Sequence, residues 1–175
     1  MSNNKKILNK ITQISMLAGL ASSIGLVDKL ISISLLPMLP GIKLGLANVI
    51  ILLGIIKYSF KESLILTLLK ILIVCLLFGG LTSLFIGGTA SLISYLVMVY
   101  LYKYLKSKIN LVSVSIIGGF VHINTQLIIT KFIYKLGNEV YMYGSLLIII
   151  SLVTSIVIGL LAKKLNNIKF IQKIH

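Results

Sequence analysis

Six apolar runs, separated only by short links rich in lysine or glycine, leave this chain very few ways to fold. A helix needs about 20 residues, at ~1.5 Å rise each, to cross ~30 Å of hydrocarbon. The runs at roughly 11–27, 42–56, 63–78, 89–102, 112–134 and 141–162 therefore read as six membrane-spanning helices within one domain, residues 1–175. Composition agrees: 58% of residues are hydrophobic and 11% charged, where a soluble domain carries about 25% charged. The expectation is an all-α, multi-pass integral protein of the cell membrane. A shorter interfacial helix is expected from Leu30 to Leu36, and the first run is expected to stay in place instead of being cleaved as a signal peptide.

The net charge of +14 comes from lysines whose placement orients the bundle. Lys5, Lys6, Lys10, Lys57, Lys61, Lys103, Lys106, Lys108, Lys163, Lys164, Lys169 and Lys173 fall in links on one side, against Lys29, Lys43, Lys131 and Lys135 on the other. Lysine-rich short loops stay in the cytoplasm, so both termini are expected inside. Lysines confined to loops, with no basic face, argue against nucleic acid as a partner.

Against this background, polar residues inside the runs stand out. A charged side chain at mid-membrane costs on the order of 2.5–3.5 kcal/mol on insertion scales, so it needs a partner or a task. Lys70 lies within the third run, and could face a polar cavity or a neighbouring helix. His122 and Gln126, at i and i+4, share one face of the fifth, where they could bind a solute or hydrogen-bond another helix. Asn124 points elsewhere. Lys43 and Asn48 belong to the stretch Pro37-Met38-Leu39-Pro40-Gly41-Ile42-Lys43-Leu44-Gly45-Leu46-Ala47-Asn48. Antiparallel second and fifth helices bring Asn48 and Gln126 to similar depth. Asp28, Lys43, Asn48, Lys70, His122 and Gln126 are thus the candidate substrate-binding residues, lining an outward cavity with Lys70 towards its floor. Pro37 and Pro40 keep the link before it out of helix, as a pocket wall or a simple turn.

Catalytic and metal sites are not expected. The three carboxylates, Asp28, Glu62 and Glu139, are far apart in sequence, and no HExxH, CxxC or P-loop pattern occurs. The single Cys75 reads as packing. No cofactor is implied. In the first run, Ala18/Ser22 and Ala21/Gly25 form a small-residue face at i, i+4 spacing, of the kind that lets helices approach closely in lipid. It could serve internal packing or a partner.

The stretch from Pro37 to Asn48 resembles the signature of the Gx transporter family, also called heptaprenyl diphosphate synthase component I. Leu77-Phe78-Gly79-Gly80, Gly87-Gly88-x-x-Ser91, Met98, Val114-Ser115, Gly118-Gly119 and His122-x-x-x-Gln126 extend the likeness over nearly the whole chain. Two positions depart from the pattern: Ile123 stands for an asparagine and Lys70 for an arginine. Lysine keeps the charge but lacks the guanidinium's bidentate fork.

The resemblance implies a six-helix bundle similar to the substrate-binding S-components of energy-coupling factor (ECF) transporters. Such a subunit captures a small cofactor- or quinone-precursor-related solute from outside and docks on a transmembrane coupling protein and ATPase subunits. Ala18 and Ser22 would match its docking face. The family's other name implies instead a membrane accessory component beside a polyprenyl synthase. A catalytic role is not expected, because the paired aspartate-rich motifs of prenyl synthases are missing from the chain.

Overall fold

The computed structural model describes residues 2–35, 42–78, 80–105 and 108–166. Among them the chain forms six helices and no strand: α1 (Ser2–Leu35), α2 (Asn48–Lys57), α3 (Phe60–Phe78), α4 (Gly80–Tyr104), α5 (Leu111–Tyr134) and α6 (Glu139–Asn166). Four segments are long and apolar enough to cross a membrane: Ile7–Ser32 of α1, Gly80–Tyr104, Leu111–Tyr134 and Val140–Asn166. The other two runs behave differently. Helix α3 has 19 residues but carries Lys61, Glu62 and Lys70. Helix α2 has 10 residues, about 15 Å at 1.5 Å per residue, or half a bilayer.

Three boundaries differ from the sequence expectation. Helix α1 runs unbroken through Leu30 to Leu35, so no separate interfacial helix forms there. The link expected at 79–88 is largely helical, and α4 passes through a π-helical turn at Leu84–Gly88. Residues 42–47, expected as the start of the second helix, are not helical. Pro37 and Pro40 lie outside the described residues, so the wall or turn expected of them is not among the observations.

The outer surface is greasy: Leu76, Phe132, Met142 and Ile149 are exposed, whereas Ile51, Leu52, Leu66, Met98 and Val114 fill the interior. In lipid, helices gain nothing from hiding apolar surface from one another. They associate by close van der Waals packing and hydrogen bonds. The contact of α5 with α6 shows both. A methyl group on Gly119 would collide with Ser155 Oγ, and one on Gly159 would come 2.7 Å from Val112 Cα. The Ser115 hydroxyl donates to the Ser155 carbonyl at 2.7 Å, and Ser151 donates to the Gly119 carbonyl at 3.2 Å. Ser94 extends the seam to α4 by donating to the Gly118 carbonyl at 2.7 Å.

Contacts also define the two ends of the bundle. Lys10 pairs with Glu62 at 2.6 Å, and the Lys103 ammonium lies 5.9 Å from the centre of the Phe60 ring. Lys10 at the start of α1, Lys61 at the start of α3 and Lys103 at the end of α4 therefore gather at one end. Asp28 is 18 residues further along α1, about 27 Å away. The polar residues singled out above lie towards that distant half.

Candidate functional site

The site begins with a backbone problem. Residues 42–47 leave the helical path deep inside an apolar bundle, so their N–H and C=O groups need partners that a helix would have provided. Asp28 supplies three of them. Its Oδ1 accepts from the Leu44 N–H at 2.9 Å, and its Oδ2 accepts from Gly45 and Leu46 at 2.8 and 3.0 Å. Gln126 supplies two more. Its Oε1 accepts from the Lys43 N–H at 2.8 Å and its Nε2 donates to the Lys43 carbonyl at 3.0 Å.

Glycine makes the turn possible. Gly45 sits at φ +88°, in the left-handed region that side chains with a Cβ avoid. The turn then feeds α2 through Asn48 N–H donating to the Gly45 carbonyl at 2.9 Å. A Cβ at Gly45 would also come 3.1 Å from Asn48 Nδ2 and 3.4 Å from His122 Cδ2. Asn48 and His122 are therefore both packed against this turn.

Behind the clasped segment lies a small cavity of about 20 Å³, bounded by α1, α3, α4 and α5 and lined in part by Asp28, Lys43, Lys70, Ser91 and His122. Lys70, which could have faced a neighbouring helix, does both: it lines the cavity and donates to Ser91 Oγ on α4 at 3.1 Å. It is 7% exposed, and no carboxylate among the described residues lies within ion-pair distance of it. An ammonium has three donors, and one hydroxyl satisfies one of them. The Lys43 side chain crosses the π-helical turn, so that a methyl group on Gly87 would lie 3.5 Å from Lys43 Nζ. Near this turn, Asn48 Oδ1 and His122 Nδ1 have no hydrogen-bond partner among the described residues, on residues only 5% and 2% exposed.

The six candidate residues thus divide. Asp28, Lys43, Lys70 and His122 line the cavity, and Asn48 adjoins His122 across Gly45. Gln126 stands behind, with both ends of its carboxamide bonded to Lys43 backbone. Asn124 donates to the Phe120 carbonyl in its own helix and takes no part. Site residues that the sequence reading passed over are Ser91, Gly87 and Cys75, all on the cavity wall. The paired glycines before Ser91 were the available signal, since a π-helical turn often marks a functional position. Among the described residues no group of three His, Cys, Asp or Glu could hold a metal ion.

The small-residue pair that the resemblance implies as a docking face is buried within the chain. Ala18 and Ser22 are 1% and 4% exposed, covered by the chain's own helices, and the Ser22 hydroxyl donates to the Ala18 carbonyl at 2.7 Å. The outward positions with the same spacing are Ser15, Gly19 and Ser23. Four-residue spacing selects a helix face but not which way it points.

Fold and site together define a polytopic helical protein whose bundle encloses a cationic pocket beside an irregular half-helix. Residues 17–165 match the family described as heptaprenyl diphosphate synthase component I, and the chain belongs to that family. No curated protein and no solved structure matches the chain.

Proposed function

We propose that this chain is a non-catalytic membrane component of heptaprenyl diphosphate synthesis that binds a small anionic ligand within its bundle and works beside a separate synthase. Family membership supports the assignment to that process. The observation that carries the binding role is Lys70, a buried ammonium with a single hydroxyl partner on the wall of a cavity that Lys43 also lines. Bringing ions out of water costs several kcal/mol each unless compensated. Asp28 lies near both lysines but already accepts three backbone N–H bonds. An anionic ligand would supply the compensation that Lys70 lacks among the described residues. The carboxylates include no paired acidic motif for magnesium diphosphate, so the synthase chemistry is assigned to the partner.

One observation favours a second reading, an ECF-type substrate-binding subunit. The pocket lies about 27 Å along α1 from the lysine-rich end. If that end is cytoplasmic, both termini are inside and the pocket occupies the outer half, suited to capturing a solute from outside. Purification of the tagged full chain from native membranes in mild detergent, followed by mass spectrometry of the complex, separates the readings. Recovery of a soluble prenyl synthase is expected for the first. Recovery of a coupling protein with ATPases would replace it with the second, and recovery of the chain alone would remove the accessory role.

A further inference from the structure

The end of the bundle remote from the pocket presents cations to its surroundings. Among the described residues its exposed lysines include Lys61 at the start of α3 and Lys103 at the end of α4, and its acidic side chain is Glu62. That carboxylate is already committed: Oε1 pairs with Lys10 at 2.6 Å and Oε2 accepts from the Ser59 N–H at 3.0 Å. The Lys103 ammonium lies 5.9 Å from the centre of the Phe60 ring, which attracts the charge but offers its donors no oxygen. Below these cations both helices turn an apolar stripe outward. On α3, Ile65, Leu68 and Leu72 follow Lys61 at i+4, i+7 and i+11, one helix face. On α4, Ile93 and Leu96 share a face with Tyr100 and Tyr104, whose rings pair at 5.1 Å and are 59% and 73% exposed. Each stripe covers 11 residues, Lys61 to Leu72 and Ile93 to Tyr104. That is about 16 Å of helix, close to half of a ~30 Å hydrocarbon core. Tyrosines gather at headgroup level, and lysine stems reach along apolar surface to place their ammoniums there too.

We infer that the α3–α4 edge at the lysine-rich end is a binding surface for an anionic phospholipid, its headgroup phosphate held by Lys61 and Lys103 and its acyl chains laid along the two apolar stripes. Cations at headgroup level over apolar stripes one leaflet deep match the shape and charge of such a lipid. An acidic soluble protein would meet the cations but not the stripes, which lie below the headgroups. Lys163 and Lys164, exposed at the end of α6, lie on a single helix and serve as the comparison. The surface shares no residue with the pocket, so it goes beyond the reading above and stands or falls separately from it.

The test titrates the detergent-purified full chain with phosphatidylglycerol or phosphatidylcholine of the same acyl chains in mixed micelles. Melting temperature and the lipid retained in native mass spectrometry are the readouts. Phosphatidylglycerol should stabilise the chain, and be retained, at concentrations about tenfold lower than phosphatidylcholine requires. K61Q/K103Q should lose that preference while melting like the parent in phosphatidylcholine. K61R/K103R, which keeps both charges, and K163Q/K164Q should retain it. The single variant K103Q, expected to weaken the preference about fivefold, carries the same test should the double variant fail to accumulate. Equal response of the parent to the two lipids would overturn the site, as would an unchanged preference in K61Q/K103Q or K103Q. Loss of the preference in K163Q/K164Q would replace the site with diffuse attraction to the net charge. Glycerol phosphate acting as strongly as phosphatidylglycerol would show recognition of the phosphate ester without its chains and overturn the lipid assignment. Polyglutamate stabilising the parent as strongly would reassign the surface to an acidic protein. None of these outcomes bears on the synthase or on Lys70, whose tests are separate.

Discussion

Asp28 and Lys70 are both buried charges near the same cavity, yet they do opposite things. The Asp28 carboxylate accepts three backbone N–H bonds from residues 44–46. Its charge is spent on holding an irregular segment. The Lys70 ammonium meets one serine hydroxyl, so most of its bonding capacity is uncommitted. The same contrast separates Gln126, bonded at both ends to Lys43, from Asn48, whose Oδ1 meets nothing. Burial alone does not distinguish a structural polar group from a ligand-binding one. The bonds already made do.

That contrast predicts different outcomes for substitutions of similar burial. The largest loss is expected for Asp28→Ala, which orphans three buried N–H groups at about 1–3 kcal/mol each. The bundle should fail to accumulate or unfold at much lower temperature, as read by fluorescence-detected gel filtration on heating. If D28A is as stable as the parent, the clasp is not structural and the comparison breaks. Gln126→Leu should follow at about 2–4 kcal/mol, since it strands one N–H and one carbonyl; the same assay reads it.

Gly45→Ala tests the turn itself. A left-handed backbone costs a residue with a Cβ about 1–2 kcal/mol, and the new methyl would meet Asn48 Nδ2 at 3.1 Å. A lowered melting temperature together with loss of anion binding is expected, because the same segment carries Lys43 to the cavity wall. A change in only one of the two would separate turn from pocket.

Lys70→Met sharpens the other side. Replacing a poorly compensated buried charge with an apolar side chain is often neutral or stabilising by about 1–4 kcal/mol. The melting temperature should hold or rise while anion binding disappears. A destabilised K70M would mean that Lys70 belongs with Asp28 as a structural group.

The smallest effect is expected far from the pocket, at the Lys10–Glu62 pair. The Lys10 ammonium holds the Glu62 carboxyl below its ordinary value. The pair's contribution is therefore present above the unfolded carboxylate pKa and lost as pH falls through the folded one. Exposed pairs contribute about 0–1 kcal/mol, so Glu62→Gln should change the melting temperature little at neutral pH and not at all in acid.

Much of this architecture was legible before any coordinates. Hydropathy marks out apolar segments because lipid rejects charge, and the helices from Leu111 to Tyr134 and from Glu139 to Asn166 lie close to the expected runs. The residues that break the apolar pattern, Asp28, Lys43, Lys70, His122 and Gln126, were equally visible, since each conflicts with its surroundings. The non-helical stretch at 42–47 was not. An apolar segment containing one glycine reads as helix, and only Asp28 and Gln126, 16 and 83 residues away from their partners, can replace the helical hydrogen bonds.

What the sequence determined by itself was therefore the class of solvent, the apolar segments and the short list of misplaced polar groups, because those follow from local chemistry. What the tertiary structure decided was the use of each group. It turned Ala18 and Ser22 inward, consumed Asp28 and Gln126 on the backbone, and left Lys70 and His122 with bonding capacity on the wall of one cavity. Hydrogen bonds between residues far apart in the chain exist only once the helices have met, so no local pattern carries them.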